Sequence, residues 1–362
     1  MLYFYKSISP HPIENLHNYL DFFFARMFDD TQTAYSHDYL IHNDFQDIID
    51  NYKTLIDVKL EALFNAYIAL PTQQDKNRVK HAYINNNNVE GVCNNVIMPY
   101  KYEDLHESIR KEVKELYDSE GVLYKILTSK TAYKSVKDKC GDLITHFNTF
   151  RNLNKTSVCP FCGMENLLPI NDKAKNDYDH YISKGKYPFC SINFYNLVPT
   201  CGNCNKAPNK GQKDIPYNVK VNPIIREEVF YPYSNIDNHE IILSIISPDT
   251  NLDDLNNWNL QIDCTLPINS TRKERWMEIY DIEYRYKTKI AGDNYDWKQR
   301  IVDEYHRKCK KRGETFDNFK EDILATFKDY LKWNNGILRK TFDEFIMNDP
   351  DCEAKLSGKF VI

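Results

Sequence analysis

Residues 158–213 read VCPFCGMENLLPINDKAKNDYDHYISKGKYPFCSINFYNLVPTCGNCNKAPNKGQK, and this stretch decides how the chain is organised. Two cysteine pairs frame it, Cys159-Pro160-Phe161-Cys162 and Cys201-Gly202-Asn203-Cys204. Two residues between thiols is a spacing at which a tight turn points both sulfurs at one ion. Two such turns complete a tetrahedral four-thiolate shell for zinc. A shell closed by four thiolates has no open position, so this zinc is expected to be structural rather than catalytic. The competing reading, a redox dithiol, needs only one pair. The other six cysteines (Cys93, Cys140, Cys190, Cys264, Cys309, Cys352) are scattered and read as small buried apolar side chains.

Between and just beyond the pairs lie Tyr178-Asp179-His180-Tyr181, then Tyr195-Asn196-Leu197-Val198-Pro199-Thr200, then Asn205. Alone, Asn196 reads as a turn residue and Asn205 as a helix cap. Together they offer a chemistry. Phosphodiester hydrolysis needs a base for water and a cation for the charge that develops on phosphate and leaving oxygen. Histidine titrates near neutrality and can be that base. One carboxylate with amide oxygens and water suits Mg²⁺ or Mn²⁺. On an ideal strand, Asp179 and His180 point to opposite faces, one toward metal and the other toward water.

This arrangement resembles the HNH (ββα-metal) endonucleases that carry a four-cysteine zinc site. The order is knuckle, Asp-His, Asn-Leu-x-Pro, then Cys-x-x-Cys-Asn, and the resemblance covers about residues 158–213. It implies His180 as general base, Asp179 and Asn205 as ligands of the catalytic cation, and Asn196 as the tie that orients His180. Asn205 stands where many members have His. Metal-assisted cleavage of DNA to 5′-phosphate and 3′-hydroxyl ends is the activity implied, with DNA favoured over RNA. The style of the motif is also similar to HNH subunits of bacterial anti-phage defence systems, including the Septu type. That implies an ATPase or other regulatory protein as a possible partner. The alternative reading is a non-catalytic zinc module that binds nucleic acid or protein.

Charge agrees with a phosphate partner. From Arg151 to Lys213, nine Lys or Arg stand against four acids, a local +5 inside a chain whose net charge is −5. Lys184, Lys186, Lys206 and Lys210 are the candidate phosphate contacts. Tyr181, Tyr187 and Phe189 are expected to pack the small core of the module.

Outward from the motif the chain reads as helix. Met1 to Ile8 could be a short strand. Pro12 to Phe28 and Asp47 to Leu70 have helical apolar spacing, and Pro71 stops the second. The Asn85 to Asn88 tract reads as a loop. Tyr102 to Lys130 and Thr131 to Asn152 read as two further helices, with a weak point at Gly121. Beyond the motif, Glu240 to Ser247 and Trp258 to Thr265 are expected to pair as strands. Helices follow at Ser270 to Ile290, Asp296 to Arg312, Thr315 to Leu331 and Asn334 to Met347. Arg272, Lys273, Arg275 and Trp276 are expected on a solvated helix face. The fold class expected is α+β, a mainly helical chain around a small ββα-metal module. The expected division is 1–152, 153–215 and 216–362. No secretory leader is evident and no run reaches the ~18 apolar residues of a membrane span, so a cytoplasmic protein is expected.

Overall fold

A computed structural model describes residues 1–29, 31–128, 134–173, 176–246 and 258–359. It is helix-rich, with three small antiparallel two-stranded sheets among the described residues. None of the described helices is long and apolar enough to cross a membrane. The chain divides into two compact units that do not coincide with the three segments expected. One comprises Tyr5–Lys155 and Pro169–Asn235. The other comprises Met1–Phe4, Thr156–Leu168 and Ile236–Ile362.

The first unit is a helical assembly whose core also absorbs the motif. The helix Asn15–Met27 buries Leu16, Leu20, Phe23 and Phe24 on one face. Those side chains share one apolar cluster with Leu60 and Phe64, Ile109 and Val113, and also with Tyr178, Phe189, Ile192 and Leu197. The motif therefore needs no separate core of its own.

Several expected boundaries move for local reasons. Residues 47–70 form two helices, Asn43–Asn51 and Asp57–Ile68, separated by turns at 52–56. The asparagine tract is not a loop, because Gln73–Asn87 is helical through most of it. Asn86 is fully buried, donating to the carbonyls of Tyr100 (2.8 Å) and Pro188 (3.0 Å) and accepting from Tyr100 N–H (2.9 Å). Asn88 caps the next helix by accepting from Gly91 N–H. Composition suggested a solvated tract, but here the amides bond to backbone inside the fold.

The region after Tyr102 is a 3₁₀ turn followed by helices Glu107–Tyr117 and Val122–Thr128. Gly121 sits at the break, where a Cβ would lie 2.5 Å from the Leu116 carbonyl oxygen. Helices Lys134–Cys140 and Leu143–Leu153 follow. The expected helix ends at Lys130 and Thr131 lie outside the described residues, as does Lys175 of the basic segment.

In the second unit, β5 (Ile241–Ile245) and β6 (Leu260–Cys264) pair antiparallel with Leu243 opposite Ile262, as the alternation predicts. Ser247, the expected end of the first, lies outside the described residues. The helices Ser270–Tyr280 and Ile282–Tyr305 are separated by Asp281 in the left-handed region, φ 52°. The helices Phe316–Thr326 and Gly336–Met347 complete the unit. Residues 1–8, expected as a short strand, form none; Leu2 N–H donates to the Pro160 carbonyl.

The expected solvated face is instead buried. Lys273, Arg275 and Trp276 are 8 %, 3 % and 3 % exposed. Lys273 Nζ donates to the Ile262 carbonyl, Trp276 Nε1 to the Phe161 carbonyl, and Arg275 pairs with Glu278. Each of the three thus has an acceptor for a polar end, a backbone carbonyl or a carboxylate, which lowers the cost of burial. Of the six scattered cysteines, Cys93, Cys140, Cys190 and Cys352 are buried, and Cys264 and Cys309 are partly exposed.

Candidate active site

Two short strands carry the motif. β1 (Tyr178–His180) pairs antiparallel with β2 (Leu197–Pro199), setting Asp179 opposite Val198 and His180 opposite Leu197. A single helical turn, Gly202–Asn205, follows. Two further strands of this unit, β3 (Tyr217–Asn218) and β4 (Ile225–Arg226), form a separate hairpin.

The segment joining β1 to β2 is irregular, yet it is held at several points. Tyr181 N–H donates to the Asn196 carbonyl at 2.8 Å. The Asn196 side chain, fully buried, accepts from Ile182 N–H (2.7 Å) and donates to the carbonyls of Ile182 (2.9 Å) and Cys190 (3.2 Å). One amide thus satisfies both ends of the loop, a use for which a carboxylate or an alkyl group lacks the donors. Phe189 anchors the middle. Its ring lies 5.3–5.4 Å from those of Phe24, Tyr83 and Tyr117, and its backbone takes φ 74°. A left-handed aromatic residue is strained, and burial in a cluster of rings offsets that strain. Tyr187 donates to Asp214, and Tyr181 to the Phe230 carbonyl. All three aromatics are buried; the two tyrosine hydroxyls are occupied, and Phe189 packs in the core of the helical unit, not in a small core of the module.

His180 is partly exposed. Its Nε2 lies 2.9 Å from the Ser191 carbonyl oxygen, which can only accept. Nε2 therefore carries the proton in the neutral ring, and Nδ1 keeps its lone pair. The Tyr124 ring meets the imidazole edge-on at 4.6 Å. Burial, helped by nearby Lys184, holds the imidazole down to about 3, so the ring is neutral at physiological pH.

Asp179, its strand neighbour, is 3 % exposed. Lys210 Nζ donates to Oδ1 at 2.5 Å and to the His180 carbonyl at 2.7 Å. The other oxygen, Oδ2, is buried and has no partner among the described residues. Burial raises the Asp179 pKa, and Lys210 works against that rise. Lys210, expected as a phosphate contact, is itself only 2 % exposed and is the buried counter-ion of Asp179.

Asp179, His180, Asn205, Lys184, Lys210 and Tyr124 line one open cleft of about 340 Å³. Asn205 ends the helical turn, its N–H donating to the Cys201 carbonyl. Its side-chain amide makes no hydrogen bond among the described residues. An orphaned buried carboxylate oxygen and an uncommitted amide in one cleft fit a hard divalent cation. Of the other lysines singled out, Lys184 lies over the Tyr124 ring at 4.1 Å. Lys186 turns to Asp214 at 3.9 Å, and Lys206 is exposed but does not line the cleft.

The sequence concealed Tyr124 and the Ser191 carbonyl. Tyr124 comes from a distant helix with no motif around it, and a backbone acceptor leaves no mark in residue identity.

The cysteines assemble as their spacing predicts. The ligand atoms of Cys159, Cys162, Cys201 and Cys204 all lie within 4.8 Å of one another, and all four residues are buried. Such a cluster could hold a metal such as zinc. In the first knuckle, Gly163 takes φ 67° and donates its N–H to the Cys159 carbonyl, while Met164 N–H points at the Cys162 sulfur. In the second, Cys201 caps the helical turn that carries Cys204 and Asn205. Comparison with known protein families, with curated proteins and with solved structures finds no match to this chain.

Proposed function

We propose that the chain is a metal-dependent endonuclease that hydrolyses phosphodiester bonds in DNA. The observation that carries this reading is the pairing of two adjacent strand residues with opposite assignments. His180 lines an open cleft with its Nε2 committed to the Ser191 carbonyl and its Nδ1 lone pair left over, and Asp179, which lines the same cleft, keeps an unpartnered carboxylate oxygen. A buried core histidine would have no cleft, and a structural aspartate would have both oxygens satisfied.

A divalent cation held by Asp179 and Asn205 would supply Lewis-acid stabilisation of the phosphate and the departing oxygen. His180 Nδ1 takes a proton from water as its oxygen attacks phosphorus. The bond from phosphorus to the 3′ oxygen breaks, leaving a 5′-phosphate and, after proton uptake, a 3′-hydroxyl. The Ser191 carbonyl keeps the ring in the competent tautomer, and Tyr124 fixes its plane. Lys184 presents positive charge at the cleft wall. The four-thiolate cluster, loaded with zinc, holds the turn that bears Asn205.

Nicking of supercoiled plasmid with Mg²⁺ or Mn²⁺ tests this. His180→Ala should lower the rate by about 10²–10⁴-fold with zinc content and circular dichroism unchanged. Cleavage at the parental rate would remove His180 from the mechanism. Absence of cleavage by the parent on DNA and RNA, single- and double-stranded, would favour the non-catalytic reading. Cys162→Ser should lose the zinc and the ordered knuckle, measured by metal analysis of the purified protein.

A further inference from the structure

The cleft contains an internal cation. Lys210 Nζ sits 2.5 Å from Asp179 Oδ1 and 2.7 Å from the His180 carbonyl, with the whole side chain 2 % exposed. A buried ammonium on the only carboxylate proposed as a ligand competes with any divalent ion for that carboxylate. Two positive charges sharing one carboxylate repel each other strongly at such distances. Yet Oδ2 of the same group is buried and unpartnered, and the Asn205 amide in the same cleft has no hydrogen bond among the described residues. The donor set is thus half closed by Lys210 and half open.

The placement of Lys210 is also suited to movement. It comes from an irregular turn rather than a helix or strand. That turn is held by Asn209 Nδ2 on the Asn203 carbonyl and by Lys213 N–H on the Lys210 carbonyl. The lysine side chain has four rotatable bonds, so its ammonium can leave Asp179 for a nearby anion without unfolding the turn.

We propose that Lys210 is a built-in competitor that couples cation loading to nucleic acid. Without a phosphate in the cleft the ammonium stays on Asp179 and the cation binds weakly. A phosphodiester entering the cleft draws the ammonium away and becomes its new partner. Asp179 is then released to the cation. Apparent cation affinity is the intrinsic affinity reduced by the fraction of molecules in which Asp179 is released. The proposal rests on the nuclease reading for its substrate, but its test reads cation binding and needs no cleavage.

Mn²⁺ binding to the zinc-loaded full chain, followed by electron paramagnetic resonance of free Mn²⁺, provides the test. The parent, Lys210→Met and Lys210→Gln are each titrated with and without a non-cleavable phosphorothioate oligonucleotide. Lys210→Met should bind Mn²⁺ more tightly than the parent without oligonucleotide, by about tenfold where Asp179 is released in about a tenth of parent molecules. The oligonucleotide should tighten binding to the parent and add little to Lys210→Met. Equal or weaker Mn²⁺ binding by Lys210→Met, or no oligonucleotide effect on the parent, overturns the proposal. If Lys210→Met fails to fold without the cation, Lys210→Gln carries the same comparison with its amide retained as a donor to Asp179. Tighter Mn²⁺ binding by the variants with no cleavage by any protein would leave the competitor standing and remove the nuclease. Cleavage by the parent without any gain in the variants would do the reverse.

Discussion

Two acid–base pairs with buried carboxylates differ in a way that separates scaffold from site. Arg300 and Asp343 come from the helices Ile282–Tyr305 and Gly336–Met347, and one guanidinium nitrogen meets both carboxylate oxygens at 2.6 and 2.7 Å. Lys210 and Asp179 come from a turn and a three-residue strand, and one carboxylate oxygen is left without a partner. The exposures differ as well. The Arg300 side chain is 25 % exposed, whereas that of Lys210 is 2 % exposed. A pair that satisfies both oxygens and keeps its cation near water is a clamp. A pair that orphans an oxygen beside an open cleft costs stability, and such costs are concentrated at functional sites.

The comparison breaks most readily at the acids. Asp179→Ala leaves an ammonium stranded with 2 % exposure and should cost about 3–5 kcal/mol, as removal of one partner from a buried pair does. Asp343→Ala frees a guanidinium that can reach water, so its cost should stay at about 1–3 kcal/mol, the value of a lost hydrogen bond to a charged group. Urea unfolding followed by near-ultraviolet circular dichroism measures both. The reverse ranking would mean that Lys210 finds solvent and is not trapped. The double variant Asp179→Ala, Lys210→Met sharpens the point. Removing both charges should restore most of the loss, because an apolar replacement of a whole buried pair is close to neutral. If the double variant is as unstable as Asp179→Ala, packing and not charge dominates there.

The legibility of these regions in the sequence was uneven. Cysteine spacing announced the four-thiolate cluster because ligand geometry is encoded in short-range turns. Alternation announced the β5–β6 pairing, whereas Asp179 and His180, expected on opposite faces of an ideal strand, line one cleft. Asn86 was misread because a polar run looks solvated until the backbone groups that claim it are known. Trp276 was misread as part of a solvated face for the same reason, since its partner, the Phe161 carbonyl, lies 115 residues away; Arg275 pairs three residues along its own helix with Glu278, and only its burial is set by tertiary folding. Lys210 was counted as one basic residue among several. Nothing in its neighbours marks it as the counter-ion of a carboxylate 31 residues earlier. Long-range polar pairing has no period, and periodicity is what a single sequence displays best.

A smaller effect comes from pH. Burial outweighs Arg300 at Asp343 and pushes its carboxyl up to about 6, against an ordinary value of 3.8. Between those values the folded chain holds a proton that the unfolded chain has released. Stability from this group is therefore greatest below pH 3.8 and is lost as pH rises toward 6. Asp343→Asn removes the titration. Its stability relative to the parent should shift in its own favour by about 1–3 kcal/mol between pH 4 and pH 7. Parallel pH profiles for the two proteins would show that the clamp does not titrate in this window.

The smallest expected effect tests the turn beneath Lys210. Gly211 takes φ 47°, and a Cβ there would lie 3.2 Å from the Ala207 nitrogen. Gly211→Ala combines left-handed strain with a tight contact to backbone and should cost about 1–2 kcal/mol. The cost should fall locally. Hydrogen exchange should quicken at Lys213 N–H, which donates to the Lys210 carbonyl, while the helices bearing Arg300 and Asp343 keep their protection. Arg300 issues from a helix interior, where no such turn controls it. Unchanged exchange at Lys213 in a destabilised variant would show that the strain spreads through the unit, and that the position of Lys210 does not depend on this turn.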